Sequence, residues 1–256
     1  MKRLDSLVTV AIALLATFVG REALRARSGI STRTASYGTA RLDTLSSSLR
    51  STDSARLERP LAALPDGELE DTRRRLELSG SGTFIHEVLA AHDSALARWP
   101  ARIQEPLRVW VQPSVPSADF REDFVPVVRR AFSRWSESGI PVSFTFLMDS
   151  ALADIHVTWV DQFVESISGK TIWAHDDKWW IVDASIQLAL RHRSGEALDS
   201  TAVGAIAMHE VGHLLGLDHT ADTTSIMAPK VRVRDLSPAD RATVQLLYRL
   251  PAGRLK

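Results

Sequence analysis

The chain has 256 residues, 45% of them hydrophobic, with 31 Lys and Arg balanced by 31 Asp and Glu, and no cysteine. This is enough apolar material for one substantial core and argues against two full domains. The even charge gives no bulk reason to bind nucleic acid or an acidic membrane surface, and disulfides and thiolate metal ligands are excluded.

At the N-terminus, Lys2 and Arg3 precede an apolar run from Leu7 to Gly20, which Arg21, Glu22 and Arg25 follow. This is the charged-then-apolar plan of a secretory signal. As a helix the run would cover about 21 Å against a hydrocarbon core of about 30 Å, which favours a cleaved signal over a permanent span. No Ala-x-Ala closes it, so an uncleaved anchor stays open. Residues 1–21 are therefore read as a signal peptide or signal anchor. The protein is expected to be exported, and either secreted or held outside the membrane by that N-terminal anchor.

Residues 22–104 read as a flexible stalk or prosegment. Between Arg25 and Gly82 the chain is rich in Ser, Thr, Arg, Ala and Leu and has no sustained periodicity. Further on, Ile85, Val88, Leu89, His92, Leu96 and Trp99 fall on one helical stripe, which predicts a helix over 83–99 ended by Pro100.

Residues 105–256 carry the regular patterning. Leu107–Val111 alternates as a strand, and Asp123 to Trp135 has helical spacing through Phe124, Val127, Val128, Ala131 and Phe132. Val142–Leu147 and Asp154–Trp159 alternate again, and Lys178 to Leu190 supplies more strand material. A helix is predicted from about Val203 to Leu215, with Ser200 or Thr201 as its cap. A last helix starts at Ser237, with Pro238 at its first position.

Within the Val203–Leu215 helix begins the sequence His209-Glu-Val-Gly-His213-Leu-Leu-Gly216-Leu-Asp-His219. His209 and His213, at i and i+4, leave one helix face within reach of a single metal ion at about 2.0–2.1 Å. Glu210 sets a carboxylate beside that ion without being spent as a ligand. Gly216 lets the helix end in a left-handed turn that swings His219 back. Three histidines leave one position of a tetrahedral zinc ion open, so a catalytic zinc with Glu210 as general base for an attacking water is the chemistry indicated. A structural zinc, or a core helix with incidental histidines, are the plainer readings; without cysteine, the first lacks its commonest fourth ligand.

With Ser225-Ile-Met227-Ala-Pro229 following, HExxHxxGxxH resembles the zinc-binding motif and Met-turn of the metzincin clan of zinc peptidases, closest to the matrixins and their bacterial relatives. The resemblance covers roughly the last 150 residues. It implies an α+β, zincin-like catalytic domain: a twisted mixed β-sheet with an active-site helix and a C-terminal helix, preceded by a flexible N-terminal region. It implies a zinc endopeptidase acting on protein or peptide substrates, expected as a monomer, with Met227 as an apolar floor beneath the imidazoles. In the family the peptide pairs with an edge strand above the cleft. By chain order Gly169–His175 takes that place, making Thr171, Ile172, Trp173 and Ala174 candidate substrate contacts, with Pro229 and Arg232 on the pocket wall beyond Met227. There are departures too. No cysteine is present to silence a zymogen, so His86, His92 or Asp93 are candidates to reach the zinc in a latent form. His156, His175, Asp176, Asp177 and His192 do not reproduce the family's structural-zinc spacing, although Asp176 and Asp177 could join a Ca2+ site. Ala228 stands where many relatives have tyrosine.

Overall fold

In a computed structural model of the chain, residues 33–37 and 64–255 are described. They belong to one compact unit, Arg33–Lys256. The signal or anchor expected at 1–21 lies outside the described residues, as does most of the stalk expected before Leu64.

The regular elements are β1 (Arg33–Tyr37), α1 (Asp66–Ser79), α2 (Ile85–Ala91), β2 (Ala95–Leu96), β3 (Arg102–Val111), α3 (Phe124–Ser136), β4 (Val142–Leu147), β5 (Ile155–Val160), β6 (Gly169–His175), β7 (Ile181–Ala189), α4 (Ser200–Leu214), α5 (Pro238–Arg249) and β8 (Gly253–Arg254). Six strands form one sheet in the order β1-β6-β7-β5-β3-β4. β4, β3, β5 and β7 run parallel, whereas β6 is antiparallel to β7 and β1 to β6. The fold is thus the α+β arrangement predicted, a mixed sheet with a central and a C-terminal helix.

The alternation that marked the strands is the alternation of burial. Along β5, Ile155, Val157 and Trp159 point into the core while His156, Thr158 and Val160 are half-exposed. α3 presents Phe124, Val128, Ala131, Phe132 and Trp135 to the same core, and the Trp135 indole N–H donates to Met208 O of α4 at 2.8 Å. α4 itself is apolar on almost every side, as a helix enclosed in the middle of a domain must be.

Two N-terminal expectations are corrected. The helix predicted over 83–99 stops at Ala91, because Asp93 and Ser94 take left-handed φ values of 53° and 62°. Ala95 and Leu96 then pair with Arg254 and Gly253 as a short strand. Beyond them, the Trp99 indole N–H donates to Leu214 O at 2.9 Å. The apparent helical stripe therefore mixes two structures, Ile85 and Val88 from a helix and Leu96 and Trp99 from extended chain, and tertiary contact with the end of α4 overrides the periodicity. Nor is the segment from Leu64 to Pro100 a stalk. α1 is a regular helix with Leu76 buried, and Phe84, Ile85, Val88, Leu96, Ala97 and Trp99 lie in the main core.

The third correction concerns the sheet edge. Gly169–His175 was expected to be free, yet β1 pairs along it, from Arg33 opposite His175 to Tyr37 opposite Thr171.

Since Ile85 is fully buried, Ile85→Ala should destabilise the protein by about 2–5 kcal/mol. Urea unfolding of the two forms measures this, and a change near zero would restore the stalk reading.

Candidate active site

α4 is capped one residue earlier than predicted. Asp199, not Ser200 or Thr201, accepts from Ala202 N at 2.7 Å, while the Ser200 hydroxyl donates to Asp123. The helix carries His209, Glu210 and His213 into the centre of the molecule. Its end is set by Gly216, at φ 96°, where a Cβ would also come within 2.1 Å of Ala97 O. Glycine is thus required both by backbone conformation and by the close approach of the Ala97 segment.

Beyond that turn the chain reverses and brings His219 to its two partners. The three Nε2 atoms lie 3.1 Å (His209–His213), 3.2 Å (His209–His219) and 3.3 Å (His213–His219) apart. Three corners of a tetrahedron around zinc, at about 2.0–2.1 Å from the ion, are separated by about 3.3–3.4 Å, so the donor set fits zinc. Two of the rings are aimed by the backbone. His209 Nδ1–H donates to Ile226 O at 2.7 Å and His213 Nδ1–H to Leu217 O at 3.0 Å, which leaves the Nε2 lone pairs facing inward. Burial opposes protonation. It holds His209 down to about 4, with the Ile226 carbonyl acting in the opposite sense, and it also lowers His213 and His219. The rings are therefore neutral donors at neutral pH. Among the described residues, this is the one group of three His, Cys, Asp or Glu side chains gathered within 4.8 Å.

Glu210 lies under β6. A Cβ at Gly169 would meet its Oε1 at 2.4 Å, and Thr171 Oγ1 lies 2.6 Å from its Oε2 and 3.0 Å from its main-chain oxygen. Burial pushes the Glu210 carboxyl up to about 7, with the Thr171 hydroxyl pulling the other way. A cavity of about 460 Å³ opens over these groups, lined by Ser166–Gly169, His192, Ile206, the three histidines, Glu210 and Pro229–Val231.

Met227 is fully buried, and its sulfur occupies the space beside Gly212, where a Cβ would come within 2.2 Å of it. Its turn is fastened by Asp240, a residue the sequence reading passed over. Asp240 accepts from the Ser225 hydroxyl, from Ile226 N at 3.1 Å and from Ser237 N at 2.7 Å, while its own N–H donates to Ser237 Oγ at 3.1 Å. The capping-box spacing Ser237-x-x-Asp240 was the available signal.

Several candidate contacts are placed differently from expectation. The Thr171 and Trp173 side chains are buried on the inner face of β6, toward α4, and Ala174 is almost buried, so of the four only the half-buried Ile172 presents much side-chain surface. Pro229 lines the cavity; Arg232 does not, and Lys230 and Val231 stand there instead. His86, His92 and Asp93 do not join the histidine cluster: His86 lies beside Gly80, His92 against Asp218 and Asp93 against Arg254. His156 pairs with Ser150 O, His175 with Asp176 O and His192 with Ser168. Asp176 Oδ1 accepts from Lys178 N and Trp180 N, closing a turn.

The family model for matrixins matches residues 110–249, which hold the three histidines, Glu210 and the Met227 turn. The chain belongs to the matrixin family. Among curated proteins it is similar to metalloendoproteinase 1-MMP of Arabidopsis thaliana, 34% identical over 147 residues that cover 50% of this chain and 38% of that protein. It resembles metalloendoproteinase 2-MMP of the same plant at 28% over 197 residues, covering 69% and 50% respectively. A 49-residue stretch is 47% identical to matrilysin of Felis catus, covering 17% of this chain and 19% of that protein. The chain thus spans half or less of the length of these relatives. Matrixins use zinc, in keeping with the donor set found here.

The buried carboxyl gives this matrixin a pH signature in its metal-free form. The Glu210 pKa is raised on folding from about 4.5 to about 7, so ionising it costs stability as pH rises through that window, a cost fully present above 7. Glu210→Gln removes the cost. In chelator-treated protein, its stability gain over wild type should grow from pH 4.5 to about 7 and then level off at roughly 3 kcal/mol. Chemical denaturation at each pH measures it, and a gain independent of pH would contradict the assignment.

Proposed function

We propose that this matrixin is a zinc-dependent endopeptidase that hydrolyses peptide bonds of extended polypeptides, with His209, His213 and His219 holding the metal and Glu210 as general base. The observation that most supports the reading is the convergence of three neutral Nε2 atoms beside a buried carboxylate, at the floor of an open cleft. Zinc, when bound, supplies a Lewis acid that polarises a carbonyl group and acidifies water.

The chain's own groups do the rest. Glu210 takes the proton of the attacking water and returns it to the departing amine. A carboxyl with a pKa near neutrality suits a group that must both accept and give back a proton. The Thr171 hydroxyl limits its swing, and glycine at 169 leaves the room its Oε1 needs. The Met227 side chain packs against the helix at Gly212, the residue before His213, and so supports the imidazoles from below. The peptide would pair with the edge of β6 in the manner of an added strand. A side chain next to the scissile bond would enter the space between Ile206 and Pro229–Val231. Ala228 brings no phenol, so no tyrosine of that turn helps to stabilise an oxyanion. Export through the signal at 1–21 belongs to the same proposal; among the described residues no helix is long and apolar enough to cross a membrane.

Zinc analysis together with cleavage of an unfolded protein tests the reading. Wild type and Glu210→Ala should both bind zinc, and the variant should cut about 10²–10⁴-fold more slowly. A wild type that binds zinc yet cuts nothing in a broad peptide library would leave an idle zinc-binding scaffold as the better account. The pairing of β1 with β6 yields a further expectation, because a peptide needs the edge that Arg33–Tyr37 covers. Proline removes ladder N–H groups, so the Ala35→Pro/Ser36→Pro double variant should cleave a peptide substrate with a lower KM than wild type. An unchanged KM would show that β1 does not compete.

A further inference from the structure

His219 is the least sheltered of the three histidines, its side chain 24% exposed. Whereas His209 and His213 each donate Nδ1–H to a backbone carbonyl, His219 Nδ1 stands 3.8 Å from Asp218 Oδ1, beyond hydrogen-bonding distance, so the place of its ring depends chiefly on the backbone that carries it. That backbone is gripped on both sides by one short helix and the residue that follows it. Before His219, Asp218 accepts from His219 N at 2.6 Å through Oδ1, and its Oδ2 lies 3.4 Å from His92 Nε2. Both side chains are nearly inaccessible, at 1% for His92 and 9% for Asp218. The His92 ring also meets the Trp173 ring of β6 edge-on, with centroids 5.7 Å apart. After His219, Glu87 accepts from Thr220 Oγ1 at 3.2 Å and from Ala221 N at 2.9 Å. The same segment supplies Leu217 O, the acceptor that aims His213. Glu87 belongs to α2 and His92 follows directly on it, both outside residues 110–249, the stretch that matches the family.

We propose that Glu87 and His92 are positioning residues for the metal site: they clamp the 217–221 segment from both sides of His219 and thereby set the geometry of the third ligand. The inference rests on the zinc reading above. Its physical basis is that a ligand held through its backbone loses pre-organisation when the backbone is released. The buried contact between His92 Nε2 and Asp218 Oδ2, shielded from water, carries more of the effect than the exposed Glu87.

Chelator competition for zinc, the visible spectrum of the Co2+-substituted protein and the melting temperature of the metal-free protein test this on the full chain. His92→Ala should weaken zinc binding about 10–100-fold, as loss of an outer-sphere partner does, and should alter the Co2+ bands. Glu87→Ala should weaken it about threefold to tenfold. Glu87→Gln, which keeps an acceptor for Ala221 N, should restore most of the affinity, as should His92→Gln, which keeps a donor toward Asp218. The His92→Ala/Asp218→Asn double variant should be no weaker than the worse single one, the mark of a shared interaction. Should His92→Ala fail to fold, Glu87→Ala at an exposed position carries the test. Variants that lower the metal-free melting temperature but bind zinc and shape the Co2+ spectrum as wild type does would overturn the proposal. A wild type that binds no zinc at all would instead overturn the reading beneath it.

Discussion

Three uncharged imidazole nitrogens face one point about 3.2 Å from each other, and because lone pairs so close repel, the surrounding chain has to hold them there. The arrangement is enforced by how the other nitrogen of each ring is used and by where the ring's backbone is anchored. His209 is aimed by Ile226 O, His213 by Leu217 O, and His219 by the segment that holds it. Each of these acceptors lies in irregular chain between α4 and α5, and such chain holds a conformation only when its surroundings supply partners. Much of the remaining structure can be read as that supply.

From one side it comes from α5. Asp240 is fully buried and joins the cap of its own helix to the turn that presents Ile226 and Met227. From the other side it comes from the segment before β3. Trp99 satisfies a carbonyl at the end of α4 and Ala97 O packs where only a glycine can turn, while from α5 Tyr248 OH donates to Leu215 O at 3.2 Å. Helix ends leave carbonyls without intrahelical partners. At the end of α4 aromatic donors from distant elements meet that need, which fastens the departing chain in the direction that returns His219 to the cluster.

The parts of the molecule that were legible in the sequence are those governed by local rules. Two-residue alternation gave β4 and β5 to within a residue or so, and Ser237-Pro238 gave the start of α5, because a strand with one buried face and a capped helix leave their period and punctuation in the chain. The spacing of His209, His213 and His219 around Gly216 was legible for the same reason: helix pitch and a left-handed turn translate directly into position. What escaped was decided by long-range contact. Ala95–Trp99 looked helical until set against the end of α4. Thr171 read as an edge residue open to substrate, but a strand exposes alternate side chains, and the register turns Thr171 inward onto Glu210. The pairing of β1 with β6 links positions more than 130 residues apart and carries no marker in composition. His92 and Glu87 fell within a segment that lacked a family motif, although both touch the loop of the third histidine.

The double duty of Asp240 has a consequence for how the protein comes into being. One carboxylate serves as the N3 member of a helix cap and as the anchor of the Ile226 amide, so α5 cannot settle its first turn in the native place without also fixing the carbonyl that orients His209. Convergence of the three imidazoles and docking of the last helix are then coupled through one carboxylate. A nascent polypeptide that has exposed all three imidazoles but not yet Asp240 has the ring nitrogens without the frame that converges them, so the proposed uptake of zinc would wait for the tertiary structure to close.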